Sequence, residues 1–304
     1  MVVASSKCVM YADDVKIYRE ISSDSDCSFL QKDLDNISKW SSDWQLILNP
    51  RKCASFTITL KRAPILHSYS IGHSPLQRVA EVRNLGIILD SKRTFSSHIN
   101  ATVASANRAL GLLIRSFQTS LKKYKFDRKA LLVAYNANIR SILEYGSIIW
   151  SGAAKTHLIR LERVQHKFLI WLAARARGTD RTTQLDYVSL LDYFNVTSLE
   201  ARRKQFDLVC LKNIFSGTTD SSFLLGCFSL STRRLTRKPS LFHVPFARVF
   251  TVKNGMFVRL AASANGFVSG NPHVDFFADN LITFKKHVLQ FVRSASSRDS
   301  RSLL

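Results

Sequence analysis

The sequence predicts an α+β fold, with short antiparallel strands in the first 95 residues and helices after them. One change of period carries this prediction. Apolar and β-branched residues alternate or cluster in short runs at Cys8–Tyr11, Val15–Tyr18, Cys53–Leu60 and Asn84–Asp90, each bounded by turn formers. Beyond residue 95 the apolar residues recur every three or four positions instead. Composition agrees: 46% of the 304 residues are hydrophobic and 11% aromatic, while Gly (11) and Pro (6) are too sparse for a loop-dominated chain.

In chain order, Tyr11-Ala12-Asp13-Asp14 joins two short strands and reads as a hairpin turn, where Asp is a good turn former. Taken alone, such an acidic pair is more often a solvated turn than a site. Ser28 and Gln31 have capping-box spacing, and Leu30, Leu34, Ile37 and Trp40 or Trp44 form a stripe, so a helix is expected over 29–43. Asn49-Pro50-Arg51-Lys52 stops the run that follows and precedes a strand at 53–60. Residues 61–78 read as loop with a weak strand at 68–71. Residues 84–90 read as a buried strand with Gly86 near its start, a position that often marks a bulge or a close backbone approach.

Three helical stripes follow: Ile99, Val103, Ala106, Leu110 and Leu113; Leu132, Tyr135, Ile139 and Ile142, entered through Asp127; and Leu158, Leu161, Val164, Phe168 and Leu172. Thr197 and Glu200 are spaced as a second capping box, opening a helix that carries Leu199, Phe206, Val209 and Ile214 and stops at Gly217. Its first turns hold Arg202, Arg203 and Lys204, cations that oppose the helix dipole, so something other than local helix stability favours them. Residues 218–280 are expected to be irregular with one or two short strands. Leu281, Phe284, Val288 and Phe291 mark a last helix.

The net charge is +22 and it is unevenly placed. Residues 1–98 hold 13 Lys and Arg against 10 Asp and Glu; residues 99–304 hold 31 against 12, a net of +19. A basic body this charged points to a polyanion, most simply nucleic acid. The five cysteines are odd in number and lack zinc-site spacing, which reads as reduced thiols in an intracellular protein, nuclear or cytoplasmic. No window has the apolar length of a membrane span or a signal peptide. No HExxH, Gly-rich phosphate loop or GxSxG motif is present.

Tyr11-Ala12-Asp13-Asp14 followed by Val15-Lys16-Ile17-Tyr18 resembles the catalytic hairpin of reverse transcriptases. The continuation is similar, nearly throughout the chain, to non-LTR (LINE-type, jockey-like) retrotransposon polymerases. The residues that carry this likeness are Leu30-Gln31-x-Asp33-Leu34-Asp35, Trp40, Trp44-Gln45-Leu46, Leu48-Asn49-Pro50-x-Lys52-Cys53, Leu85-Gly86, Phe95, His98-Ile99, Ile142-Leu143-Glu144-Tyr145, Trp150, Leu161-Glu162-x-Val164-Gln165 and Ser198-Leu199-Glu200-x-Arg202-Arg203. The resemblance implies a partial polymerase palm over 1–95, a helical thumb-like region over 96–175 and a C-terminal extension over 176–304.

It implies further that Asp13 and Asp14 are catalytic carboxylates holding Mg²⁺, or Mn²⁺, for two-metal nucleotidyl transfer. Lys52 would stand near the triphosphate as a proton donor, unless it is a solvated turn lysine. Leu85 and Gly86 would form a primer-grip-like element, which is compatible with a core strand. Arg108, Arg115, Lys122, Lys123, Arg202, Arg203 and Lys204 would touch nucleic acid, and the partners would be an RNA template and a primer–template duplex, with dNTP as substrate. The chain also departs from the family. Met1–Met10 holds no acidic residue, so the further carboxylate of a polymerase palm is missing, as is the endonuclease often found upstream, and Ala264-Asn265 stands where relatives tend to show Trp-Asn. The expectation is therefore a C-terminal fragment beginning at the hairpin, binding metal weakly or not at all and inactive alone, or else a non-catalytic basic RNA- or DNA-binding remnant.

Overall fold

The computed structural model describes residues 3–120, 127–176, 186–219, 222–231 and 240–299. The fold is α+β, and the chain divides into two compact units, Met1–Arg93 and Thr94–Leu304.

In the first unit, β1 (Lys7–Tyr11) and β2 (Asp14–Tyr18) pair antiparallel, with Tyr11 opposite Asp14. Helix α1 (Asp24–Asp43) follows. It starts five residues before the expected capping box, because the Asp26 carboxylate accepts from the backbone N–H of Ser22 and Ser23, each at 3.0 Å. Gln31 is thereby freed from capping. Its amide instead exchanges two 3.0 Å hydrogen bonds with the backbone of Ser70. Cys27 and Leu34 are buried on α1, whereas Trp40 and Trp44 are exposed and do not extend the stripe.

A 3₁₀ turn, Pro50–Lys52, is capped by Asn49 Oδ1, which accepts from Arg51 N at 3.1 Å. The expected strand at 53–60 shortens to β3 (Ala54–Phe56). The strands β4 (Ser70–Ile71), β5 (Ser74–Pro75), β6 (Gln77–Val79), β7 (Glu81–Asn84) and β8 (Ile87–Asp90) follow. β3 runs parallel to β6, while β4–β5 and β7–β8 are antiparallel hairpins, so the described strands form four separate two-stranded sheets. The stretch 84–90 is thus the second half of a hairpin and not a single buried strand: Leu85 and Gly86 are its two-residue loop.

The second unit is helical. Ile99, Ala106, Leu110 and Leu113 are buried along α2 (Ser96–Ser120), as the first stripe predicts. Asp127 Oδ1 caps α3 (Arg128–Tyr135) by accepting from Lys129 N at 2.8 Å. A π-helical stretch, Asn136–Arg140, then leads into α4 (Ser141–Glu144). The wider π turn keeps Leu131, Tyr135, Ile139 and Leu143, spaced by four, on the buried side in place of the expected Leu132 and Ile142. Gly146, at φ 62, admits the bend into α5 (Ser147–Trp150). Trp150 is buried with its indole N–H donating to Tyr145 O at 2.8 Å.

Helices α6 (Lys155–Ala176), α7 (Tyr187–Phe194) and α8 (Leu199–Phe215) complete the first half of this unit. Tyr135 stacks on Phe168 with ring centroids 4.2 Å apart. α8 is capped by Ser198, whose Oγ accepts from Ala201 N at 3.2 Å, one residue later than the predicted Thr197. It buries Leu199, Leu208, Leu211 and Ile214 together with Arg203, Asp207 and Lys212, so it is a central helix enclosed on more than one side. Gly217, at φ 70, does follow its end.

The segment expected to be irregular holds α9 (Ser222–Gly226), α10 (Phe250–Lys253) and the 15-residue α11 (Met256–Gly270), besides a bridge between Leu230 and Phe242. α12 (Leu281–Asp299) is the predicted last helix. Leu260, Ala261, Ala264 and Phe267 of α11 pack with Phe284, Val288 and Val292 of α12 and Leu208 and Leu211 of α8 in one core. Asn265, next to the buried Ala264, clasps Phe242 by accepting from its N–H and donating to its carbonyl, both at 2.8 Å. Each large side chain buried here contributes roughly 1.5–3 kcal/mol.

Candidate nucleic-acid interface and carboxylate hairpin

The acidic pair sits at the tip of the β1–β2 hairpin. Ala12 and Asp13 are the two loop residues and Asp14 opens β2. Ala12 has φ 52, a left-handed value that a non-glycine residue rarely adopts. Asp13 and Asp14 are both exposed. Around them Met10 (74% exposed) and Tyr11 (65%) are also in solvent, so the tip is not held by packing.

The β7–β8 hairpin has a related tip. Leu85 and Gly86 both have positive φ, 46° and 83°, which is the I′ pattern normally filled by Asn-Gly or Gly-Gly. The two tips thus each place a non-glycine residue in a left-handed conformation, which costs roughly 1–2 kcal/mol. The hairpins are tied together. Lys16 Nζ, on β2, donates to Asn84 Oδ1, the residue just before the Leu85-Gly86 loop. Lys52 is exposed on its 3₁₀ turn. Among the described residues no group of three His, Cys, Asp or Glu is placed to hold a metal ion.

Arg108 and Arg115 are exposed on α2. Lys122 and Lys123 lie outside the described residues. Arg202, Arg203 and Lys204 are each matched to a carboxylate. Arg202 binds both oxygens of Glu144, with Nη2–Oε2 at 2.9 Å, and covers the Phe206 ring. Arg203 is 5% exposed and faces Glu162, Nη2–Oε1 3.6 Å. Lys204 pairs with Glu200 at 3.0 Å. These three pairings explain why cations occupy the first turns of α8 against its dipole.

Glu162 is the centre of a buried polar cluster that no local pattern in the sequence reveals. Its carboxylate accepts from Tyr187 Oη (2.6 Å), Leu199 N (3.1 Å) and Glu200 N (2.6 Å). It thereby neutralises amides at the start of α8, where the helix dipole favours a negative charge. Gln165 donates to Tyr187 Oη (2.9 Å) and Thr197 O (3.1 Å) and accepts from Tyr135 Oη (3.1 Å). Burial pushes the Tyr187 hydroxyl well above its usual range, with the Glu162 charge adding to it, so Tyr187 stays a donor. Asp207 is buried and accepts two bonds from Arg259, Nε–Oδ2 2.8 Å and Nη2–Oδ1 3.1 Å.

Further cations, not singled out by the sequence, are exposed at helical spacing on α6. Arg163 and Lys167 are one turn apart, and Arg175, near the helix end, lies 5.8 Å from the Trp171 ring centroid. Arg128 and Lys129 are exposed at the start of α3. Charge and helical period mark such residues as solvent-facing; the signal that would have found them is their position off the Leu161–Val164–Phe168–Leu172 stripe.

All five cysteines are free thiols. Among the described residues no helix is long and apolar enough to cross a membrane.

Comparison with known proteins agrees with these motifs. No protein-family model matches the chain, and no solved structure does. The chain is 28% identical over 162 residues to the RNA-directed DNA polymerase from mobile element jockey of Drosophila funebris, and 29% identical over 168 residues to that of Drosophila melanogaster. It is 27% identical over 159 residues to the probable RNA-directed DNA polymerase from transposon BS of Drosophila melanogaster. Each of these matches covers 52% of this chain and 17% of the relative, so the chain corresponds to a small part of the curated proteins it resembles. The homologues of this chain are thus RNA-directed DNA polymerases of non-LTR retrotransposons, jockey and BS among them.

Proposed function

We propose that the chain acts in RNA-directed DNA synthesis, presenting the carboxylate tip of a polymerase palm and a basic helical body that holds RNA and DNA. The observation that carries this reading is the pair of hairpin tips, Asp13-Asp14 and Leu85-Gly86, joined through Lys16 and Asn84. An exposed acidic tip beside a second strained tip is a costly arrangement for folding alone, and such strain is typical of functional positions. The charge supports the second half: Thr94–Leu304 carries 31 Lys and Arg against 12 Asp and Glu, enough to neutralise a run of backbone phosphates.

Mg²⁺ is the ion whose chemistry suits the tip, since hard cations take carboxylate oxygens. Asp13 and Asp14 alone do not complete a two-ion site, which needs oxygens around both ions. The polypeptide of these 304 residues is therefore expected to hold nucleic acid without extending a primer by itself. Lys52, exposed on its 3₁₀ turn, is assigned to nucleotide binding only in a complete site.

Primer extension on an RNA template, with Mg²⁺ or Mn²⁺, tests the reading. No extension by this chain, together with binding of the primer–template, is the expected result. Extension that disappears in Asp13→Ala would show that the two carboxylates suffice; absence of both extension and binding would overturn the proposal.

A further inference from the structure

Two phenylalanines stand outside the aromatic core of the second unit. Phe215, Phe228, Phe242, Phe257, Phe276 and Phe277 form a connected cluster with ring centroids 5.2 to 6.5 Å apart. Phe246 and Phe250, close by in sequence, do not join it: Phe246 is 87% exposed and Phe250 51%. Val244, Val249 and Val252 are exposed beside them in the chain. A run of exposed apolar side chains of this length marks an interaction surface.

The exposure is not the result of a loose segment. Asn265 clasps the backbone of the buried Phe242, and His243 N donates to Ser229 O at 2.8 Å. Pro245 biases Val244 to extended backbone, and α10 begins at Phe250. Phe246 therefore projects from a stretch fixed at both ends.

Charge selects the occupant. From Ser221 to Val274 the sequence holds seven Lys and Arg and no Asp or Glu. Arg248 and Lys253, interleaved with the two rings, are exposed, and among the described residues neither side chain is held in an ion pair. They differ in this from Arg202, Arg203 and Lys204, which are matched to carboxylates. Two copies of such a surface repel each other. Flat rings set among unpaired cations suit a single strand, whose bases offer π-faces and whose phosphates offer charge. A duplex hides its base faces in the stack.

We propose that Phe246 and Phe250 stack on unpaired bases of an RNA template, with Arg248 and Lys253 on its phosphates. The inference rests on the nucleic-acid reading above. It gives the basic body a surface for the template strand outside the duplex.

Fluorescence anisotropy of the full chain tests it. The probes are a short unstructured single-stranded RNA, the same strand with abasic positions, and an RNA–DNA duplex of the same sequence. The intact strand is expected to bind about fivefold or more tighter than its abasic counterpart, which carries the same charge. Phe246→Ala and Phe250→Ala should each weaken the single strand about fivefold or more, with duplex binding and the thermal transition retained. Phe246→Leu, which keeps apolar bulk without a π-face, should weaken it too, and Phe246→Tyr should bind as wild type. Equal binding of the intact and abasic strands, Phe246→Leu binding as tightly as wild type, or an equal loss on the duplex would overturn the proposal. So would variants that leave single-strand binding intact but abolish self-association or binding to phosphatidylserine vesicles. If duplex binding stays salt-dependent in those cases, the stacking surface fails and the broader function stands; loss of all nucleic-acid binding by the wild-type chain would overturn both.

Discussion

The Arg202 guanidinium grips both carboxylate oxygens of Glu144, 58 residues earlier in the chain. The pair joins the end of α4 to the first turn of α8, and both side chains are mostly buried. The dipole at a helix N-terminus disfavours a cation there, so the bidentate contact outweighs that local penalty.

Arg202→Ala is predicted to destabilise the second unit by about 2 kcal/mol, since it leaves a largely buried carboxylate with a weaker partner, Arg140 at 3.9 Å. Urea denaturation checks the value. A double-mutant cycle with Glu144→Ala should return a coupling of about 1 kcal/mol or more. Additive effects would show that the pair is not a working contact.

His166 predicts a pH dependence. Burial lowers its pKa below 6.5, opposed by the Asp186 charge; its Nε2 has no partner, and the Tyr187 ring is 5.1 Å away. Below pH 6.5 the unfolded chain takes up the proton more readily than the folded one. The stability that the neutral imidazole supplies is therefore full above pH 6.5 and is lost as pH falls through the folded pKa. His166→Gln should lose less stability than wild type between pH 7.5 and 5.5, measured by denaturant midpoints. An equal loss would remove His166 from the acid response.

Leu85 occupies a left-handed position that Asn adopts more easily. Leu85→Asn should stabilise the first unit by about 1 kcal/mol. A loss of stability instead would mean that Leu85 packing outweighs the turn strain.

Asp13 and Asp14 are exposed and contribute little to folding. Asp13→Asn and Asp14→Asn should each leave stability within about 0.5 kcal/mol of wild type in a thermal melt followed by circular dichroism. A large loss would make the acidic pair a folding element and weaken its assignment to chemistry.

The hairpin that carries Asp13 and Asp14 was legible because its strands alternate around turn formers, and α2, α6 and α12 because Leu, Ile and Phe recur at helical spacing. α11 was hidden. Its buried face is Leu260, Ala261, Ala264 and Phe267, at helical spacing, but alanine is a weak apolar marker, and Ser263, Asn265 and Gly266 interrupt the pattern. Leu85-Gly86 reads as strand in the sequence because an apolar residue and a glycine fit a bulge as well as a I′ loop. Both caps slipped for a similar reason: Thr197 and Ser198 are equally able caps, and Ser23 with Asp26 repeats the spacing seen at Ser28 and Gln31. The Glu162 cluster was invisible because its partners lie 25 to 38 residues away. Only the fold shows that Arg203, which sequence alone assigns to the nucleic-acid surface, is buried.

The central claim, that this chain holds nucleic acid through its basic helical unit, is tested most directly by binding to an RNA–DNA duplex across a salt series. The predicted result is measurable affinity at 50 mM salt and a linear fall of log K with log salt, with a slope reporting several phosphate contacts at about −0.9 each. Arg163→Glu with Lys167→Glu should flatten that slope. No binding at 50 mM salt, or an affinity indifferent to salt, would contradict the account.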